Sequence, residues 1–454
     1  MKRPVKILVV GGNAAGPAAA AKAKRYNPNA NVILFEAGNF ISTGTCEIPY
    51  VLSGDIINYE DIVYYSAVSF LNKKGVRVFV NHFVEQIDRK LKTITVRDLQ
   101  SDTISEFQYD SLILTTGSQS KTLTGFSKDL KNVFQLKSID DLIKVECYLK
   151  NNSVQTAIVI GSGYIGLEAV EALFKNKVKV TLIEKESLPL PFAEYEISNK
   201  ILADIENQSI RFIGKSKDVE PYIDDDKVLS IKCDDDMLQV DLVLSTVGIT
   251  PNNILAKKAK LEIGRFGGIK VDKKLKTSDR NIFAAGDNIE FTNAITGKPD
   301  YFPFATYAHS FGHIAGENAA GGNVNAEPIV KNVSVKIFDN YFASVGVNSI
   351  EAGKSRFNTA YVDAEIPNLV KVMPESKPVY GKLIFDTDNK KILGASFYGG
   401  KEVSGYADLI SSAIYSGQQI DFLTKVSYNY TPPLSPFVNL LSVLGRKAIA
   451  KLKK

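Results

Sequence analysis

VKILVVGGNAAGPAAAAKAKRYNPNANVILFE, residues 5–36, reads as a short β-branched strand, a glycine turn, an alanine-rich helix and a second apolar strand closing on Glu36. The apolar runs are short and β-branched on either side of a helical stretch, the pattern of a βαβ unit. The same order returns in TAIVIGSGYIGLEAVEALFKNKVKVTLIE, residues 156–184, which closes on Glu184. One supersecondary unit used twice organises the rest of the chain.

In the second copy Gly161, Gly163 and Gly166 complete G-x-G-x-x-G between strand and helix. Glycines there permit the tight turn and let backbone N–H groups at the helix start approach a pyrophosphate, while Glu184 is placed to accept from a ribose 2′-OH. A carboxylate repels a 2′-phosphate, so NADH is expected over NADPH, with Lys185 softening that preference. The first copy reads Gly11, Gly12, Asn13, Ala14, Ala15, Gly16, with asparagine where the middle glycine of the triplet belongs.

The intervening segments RVFVNHFVEQIDRKLKTITVRD and YDSLILTTGS alternate like strands with turn signals, as expected where a Rossmann-like sheet carries an added β-meander. After residue 245, STVGITPN, NIFAAGD and the helical ATYAHSFGHIAGENAAGG read as a return to the first domain. From about residue 328 the texture becomes that of a sheet with helices on one face, an α+β third domain. The expected fold is therefore α/β, with two Rossmann-like dinucleotide-binding domains plus a C-terminal α+β domain. Its segments are 1–150, 151–245, 246–327 (return to the first) and 328–454.

A chain of 454 residues is long enough for several domains. With 44% hydrophobic and 23% charged residues it is not a disordered chain, and a net charge of +5 does not argue for nucleic acid. No apolar run reaches membrane-span length, and the opening MKRPVKILVVGG reads as a first strand, not a signal peptide. Cysteines at 46, 147 and 233 and only three histidines provide neither a disulfide framework nor a metal site. A reducing, cytoplasmic setting is expected.

With Glu36, Cys46, the second glycine fingerprint and the Gly286-Asp287 pair of NIFAAGD in line, the chain resembles the pyridine nucleotide-disulfide oxidoreductase superfamily over essentially its whole length. It looks most like the single-cysteine branch that contains coenzyme A disulfide reductases, NADH oxidases and NADH peroxidases. The resemblance implies FAD in the first domain, at Gly11, Gly12, Ala15, Gly16, Glu36, Thr116, Gly117, Gly286, Asp287 and Ala305. It implies a nicotinamide dinucleotide in the second, at Gly161, Gly163, Tyr164, Ile165, Gly166, Glu184 and Gly248. The third domain would build a homodimer whose active sites borrow residues from the partner subunit.

In ISTGTCEIPY, residues 41–50, Cys46 is followed five positions later by Val51, so the C-x-x-x-x-C of glutathione reductase and its relatives is absent. No histidine follows His313 to supply their C-terminal base. Cys46 must cycle as a thiolate, a mixed disulfide with a small thiol, or a sulfenic acid. A peroxidase or oxidase of the family places histidine where this chain has Ala14. A coenzyme A disulfide reductase needs cations for the nucleotide phosphates, and Lys22, Arg25, Ser42, Thr45 and Lys74 match the family's CoA-contacting positions. Persulfide or polysulfide reduction is another alternative; relatives with that activity often append a sulfur-carrier module with its own cysteine, and a coupled carrier is not expected here, though small persulfide substrates stay open. An NADH:quinone diaphorase with a dispensable cysteine is the remaining reading.

SYNYTPPLSP resembles the family's Y-x-P-P segment, which makes Tyr430, contributed by the partner subunit, the expected hydrogen-bond donor to the leaving thiolate, with Tyr428 as a substitute. A second tyrosine of some CoA reductases is unmatched at Val372-Met373-Pro374. His309 and His313 are expected to be structural, His82 has no assigned role, and Cys147 and Cys233 are expected to be bystanders. The basic tail GRKAIAKLKK is expected to be a solvated helix end.

Overall fold

A computed structural model describes residues 3–453; Met1, Lys2 and the tail's Lys454 lie outside the described residues. The chain divides into two compact units, one formed by residues up to Val154, Val247–Thr292 and Pro299–Pro328, the other by Gln155–Thr246, Asn293–Lys298 and the residues from Ile329 on. The second thus joins what the sequence separates as a nucleotide domain and a third domain.

In the first unit β1 (Lys6–Val10), α1 (Ala15–Tyr26) and β2 (Asn31–Phe35) form the opening βαβ motif. β1 lies central in a parallel sheet, flanked by β2 in the register Lys6↔Asn31 to Val10↔Phe35 and by Ser111–Leu114. Arg77–Phe79 and Ile282–Ala284 close the two edges. Helices cover such a sheet on both faces, so its strands are continuous apolar runs; four of the five residues in β1 and in β2 are buried. The meander appears as the antiparallel strands His82–Asp88, Thr93–Asp98 and Ile104–Gln108.

The alanines of α1 are a packing device. They let the helix Ala305–Ala319 approach until a Cβ on Gly312 would lie 2.4 Å from the Ala15 carbonyl oxygen, and one on Gly316 2.1 Å from that of Ala19. Any side chain at either glycine would force the helices apart, at a cost of about 1–3 kcal/mol.

The second unit repeats the parallel arrangement with Leu242–Ser245, Thr156–Ile160, Lys179–Ile183 and Arg211–Ile213 side by side. It also contains a five-stranded antiparallel sheet in the order Asn332–Ile337, Asn340–Gly346, Ile392–Gly399, Pro378–Asp386, Thr359–Pro367. Its core joins Leu383, Phe385 and Phe397 to Ile410 of the helix Glu402–Tyr415 and to Leu440, Leu441 and Leu444 of the C-terminal helix. The Lys382 ammonium, buried in this unit, is 2.9 Å from buried Glu194 and 3.0 Å from Glu196. The tail is the exposed end of a helix, as expected, and it also reaches a neighbouring strand. Lys447 and Lys451 are exposed, yet their ammonium groups donate to the carbonyls of Asp363 and Tyr361 at 2.5 and 2.8 Å. Both carbonyls belong to an edge strand, whose unpaired backbone groups need partners.

Among the described residues no helix is long and apolar enough to cross a membrane, and no group of three or more metal-ligating side chains comes together.

Candidate functional site

The turn after β1 is built around Gly11 and Gly16. Gly11 has φ +108°, and a Cβ on it would lie 2.1 Å from the Thr115 carbonyl oxygen; a Cβ on Gly16 would lie 1.8 Å from the Gly11 oxygen. These contacts permit only glycine. Gly12 donates its N–H to Glu36 Oε2 at 2.5 Å, and Gly38 donates to Glu36 Oε1 at 2.7 Å. Burial pushes the Glu36 carboxyl up, and the N–H groups of Gly38 and Gly12 oppose that shift.

Asn13 explains the missing glycine. Its Oδ1 accepts from the backbone N–H and from the hydroxyl of Thr43, both at 3.2 Å, and Ser42 N–H donates to the Gly12 carbonyl at 2.8 Å. The asparagine therefore ties the turn to β3 (Ile41–Thr43), the strand that leads to the cysteine. β3 pairs antiparallel with β4 (Val63–Tyr65). Cys46 is exposed and lies in a single 3₁₀ turn, Thr45–Glu47, just before the helix Ile48–Leu52. No disulfide links the three cysteines; Cys147 is exposed, and Cys233 is buried with its sulfur 2.9 Å from Ser216 Oγ.

Of the residues matched to a CoA site, Ser42, Thr45 and Lys74 lie around this β3–β4 ladder. Ser42 has φ +51° and a buried hydroxyl with no hydrogen-bond partner. Lys74 ends the helix Ala67–Lys74, with its ammonium 5.4 Å from the centre of the Tyr65 ring. Lys22 and Arg25 point from α1 toward the helix Ala305–Ala319. There the Lys22 ammonium pairs with Glu317 at 2.7 Å, and an Arg25 nitrogen lies 3.4 Å from His313 Nδ1. The His309 and His313 rings are 4.6 Å apart, edge to face. Burial lowers the His313 pKa, with His309, Arg25 and Lys22 pushing the same way, so the ring is neutral and accepts from Arg25.

The return segment reaches the same sheet end. Gly286 has φ +93°, and its added Cβ would lie 3.0 Å from that of Ala15; Asp287 Oδ2 accepts from Ser118 Oγ at 2.9 Å. Thr116 donates to the Asn252 carbonyl at 2.6 Å, and the adjacent Gly117 has φ +66° and open space where a Cβ would stand. Ala305 opens its helix. Fully buried Asn288 donates to Leu114 and Thr116, yet its Oδ1 has no partner. An orphaned acceptor costs free energy unless something donates to it. Two orphaned polar atoms, an open glycine and N–H groups at a helix start fit a large polar nucleotide cofactor such as FAD.

In the second unit Gly161 (φ +100°) and Gly166, whose Cβ would lie 2.0 Å from the Gly161 oxygen, repeat the tight turn, and Gly163 has open space around its missing Cβ. Glu184 is buried; its Oε2 accepts from Ser162 N–H at 2.9 Å and Ser162 Oγ at 2.7 Å, and its Oε1 from Glu186 N–H at 3.1 Å. Three donors leave one of the roughly four lone-pair sites of a carboxylate for a ribose hydroxyl. Ile165 and Tyr164 open the helix, the Tyr164 ring packing edge-on to Phe192. Gly248 falls within the first unit, where its carbonyl accepts from Lys121 N–H.

Near the C-terminus the two candidate tyrosines differ. Tyr428 donates to the Leu423 carbonyl at 2.9 Å, and burial pushes its hydroxyl pKa up. Tyr430 is exposed, its ring edge-on to exposed Phe437. The pairing of Glu47 with Tyr64 was not legible in the sequence, because the two are 17 residues apart and on different elements.

The family model described as pyridine nucleotide-disulphide oxidoreductase matches residues 5–310. The chain is 29% identical over 449 residues to an NADH oxidase of Methanocaldococcus jannaschii, covering 99% of each chain. It is 28% identical over 450 residues to a coenzyme A disulfide reductase of Staphylococcus aureus, covering 98% of this chain and 99% of that one. A solved structure of a NAD-dependent persulfide reductase from A. fulgidus superposes with a TM-score of 0.94 at 30% identity, over 99% of this chain and 84% of that one. Three differently named activities stand at nearly equal similarity.

Proposed function

The chain belongs to the pyridine nucleotide-disulphide oxidoreductases, and on that premise we propose an FAD-dependent, NADH-using homodimer that reduces the disulfide of coenzyme A through a single redox cysteine, Cys46. The observation that carries this reading is an exposed thiol in the turn just after a strand stitched to the first glycine turn by Asn13 and Gly12, with no disulfide to either other cysteine. FAD, when bound, supplies the two-electron link between a reduced nicotinamide and sulfur.

The residues of the chain do the rest. Gly11, Gly12, Gly16 and Glu36 would hold the flavin nucleotide, and Gly161, Gly163, Gly166 and Glu184 the nicotinamide nucleotide. The Cys46 thiolate attacks one sulfur of the disulfide. A Cys46–CoA disulfide forms, the bond between the two CoA sulfurs breaks, and the departing CoA thiolate takes up a proton. The exposed apolar run Tyr430, Leu434, Phe437 and Val438 supports burial against a partner subunit, which would deliver Tyr430 as hydrogen-bond donor. Ala14, in place of a histidine, speaks against peroxide or oxygen as the primary acceptor.

Intact mass before and after a thiol reductant tests the proposal. A loss equal to one CoA moiety, absent from Cys46→Ser, is expected. Loss of an oxygen instead points to the oxidase branch, and no change to a quinone diaphorase; either result overturns the reading.

A further inference from the structure

Glu47 follows the cysteine, and its carboxylate folds back over the turn that presents the thiol. A Cβ on Gly44 would lie 2.5 Å from Glu47 Oε2 and 2.7 Å from its Cδ. The other oxygen, Oε1, accepts from the Tyr64 hydroxyl at 2.9 Å. Tyr64 is held beside the loop because Ile41 pairs with Tyr65, Thr43 pairs with Val63, and Gly44 N–H donates to the Ile62 carbonyl at 2.8 Å. The hydrogen bond to Glu47 pushes the Tyr64 phenol up, so the phenol stays neutral and acts as the donor. The next residue of the strand, Tyr65, has cations about it: the ammonium groups of Lys73 and Lys74 stand 5.6 and 5.4 Å from the centre of its ring. The short turn that presents the sulfur therefore also carries a carboxylate, at the residue next to the cysteine.

We propose that Glu47, positioned by Tyr64, sets the specificity of Cys46: it admits disulfides that are uncharged next to their sulfurs and carry anionic groups far along the arm, and it rejects acceptors whose negative charge lies on or beside sulfur. The proposal rests on Cys46 being the reacting sulfur. CoA disulfide meets the requirement, since its phosphates lie beyond a long neutral arm. Persulfide and polysulfide anions and short carboxylated disulfides do not. Like charges a few ångströms apart near a protein surface repel enough to slow encounter by about tenfold, and salt screens that effect over a Debye length of about 8 Å.

Two reagents that attack the same thiol separate charge from every other effect. The holoprotein carries Cys147→Ser, because Cys147 is also exposed; it is reduced, desalted and mixed with dithiobis(nitrobenzoate), whose carboxylates flank the sulfurs, or with uncharged dithiodipyridine. In each case a Cys46–reagent disulfide forms and one reagent thiolate leaves. Glu47→Gln is expected to raise the ratio of the two rate constants, anionic over neutral, about five- to tenfold at low ionic strength, and high salt should erase the difference. Tyr64→Phe, which frees the carboxylate to swing away, should give an intermediate ratio. A loosened loop or an altered thiol moves both rates together and leaves the ratio fixed. An unchanged ratio in Glu47→Gln overturns the proposal, as does absence of a Cys46 adduct with either reagent, and an unchanged ratio in Tyr64→Phe removes the role of Tyr64. No turnover is needed, so failure to reduce CoA disulfide would sink the proposed function and leave this charge effect standing.

Discussion

Asn13 Oδ1 accepts the Thr43 backbone N–H at 3.2 Å and the Thr43 hydroxyl at the same distance. One side chain thereby couples the first glycine turn to the strand that leads to Cys46. Asn13→Ala removes both contacts, each worth about 0.5–1.5 kcal/mol. Disulfide turnover should fall about five- to thirtyfold while bound flavin, read from its visible absorbance, persists. Full turnover would show that the Ser42-to-Gly12 backbone bond alone holds the strand.

The C-terminal tyrosines should separate function from stability. Tyr428→Phe loses the bond to the Leu423 carbonyl and should lower unfolding free energy by about 1 kcal/mol with kcat kept. Tyr430→Phe should lower kcat about a hundredfold with Tm unchanged. The reverse pattern would make Tyr428 the donor.

Glu184 braces its own turn through Ser162 and Glu186. Glu184→Ala should therefore raise the KM for NADH and also raise the NADPH-to-NADH ratio of kcat/KM by about tenfold or more, because the carboxylate that repels a 2′-phosphate is gone. Steady-state kinetics with both nucleotides decide it; an unmoved ratio would assign ribose discrimination elsewhere.

Lys382 and Glu194 are both buried in the second unit. Lys382→Met strands an uncompensated carboxylate and should cost about 3–5 kcal/mol in denaturant unfolding. Adding Glu194→Gln should recover part of that loss.

His313 binds a proton less readily in the folded chain than in the unfolded one, because of burial and then the neighbouring His309, Arg25 and Lys22. Unfolding therefore takes up a proton as the pH falls below the ordinary histidine value of about 6.5. The stability this residue allows is complete above that pH and is lost progressively below it. Melting temperatures measured between about pH 5 and 7.5 should show that slope, and His313→Gln should flatten it.

The two βαβ motifs, the parallel sheets and the glycine turns were legible because strand and helix periodicity and the need for a missing Cβ are local properties of the chain. Cys46 stood out for the same reason, as a cysteine with no C-x-x-x-x-C mate in its own segment. Asn13 registered only as a departure; its partner Thr43 is 30 residues away.

The basic tail shows what local reading leaves out. Its lysines resemble a solvated face, but the C-terminal helix lies along the edge strand Thr359–Pro367, whose carbonyls at Tyr361 and Asp363 take Lys451 and Lys447. Lys22, matched in the sequence to a CoA-contacting position, has an ion-pair partner, Glu317, that only the helix Ala305–Ala319 brings to it.

By itself the sequence determined the elements and the two glycine turns, since each follows from backbone geometry over a few residues, and it singled out Cys46 as the cysteine without a C-x-x-x-x-C mate. Only the tertiary structure decided which group holds the Glu47 carboxylate: Glu47 receives Tyr64 because β3 pairs with β4 in one register, and strand register across distant segments leaves no mark on local pattern.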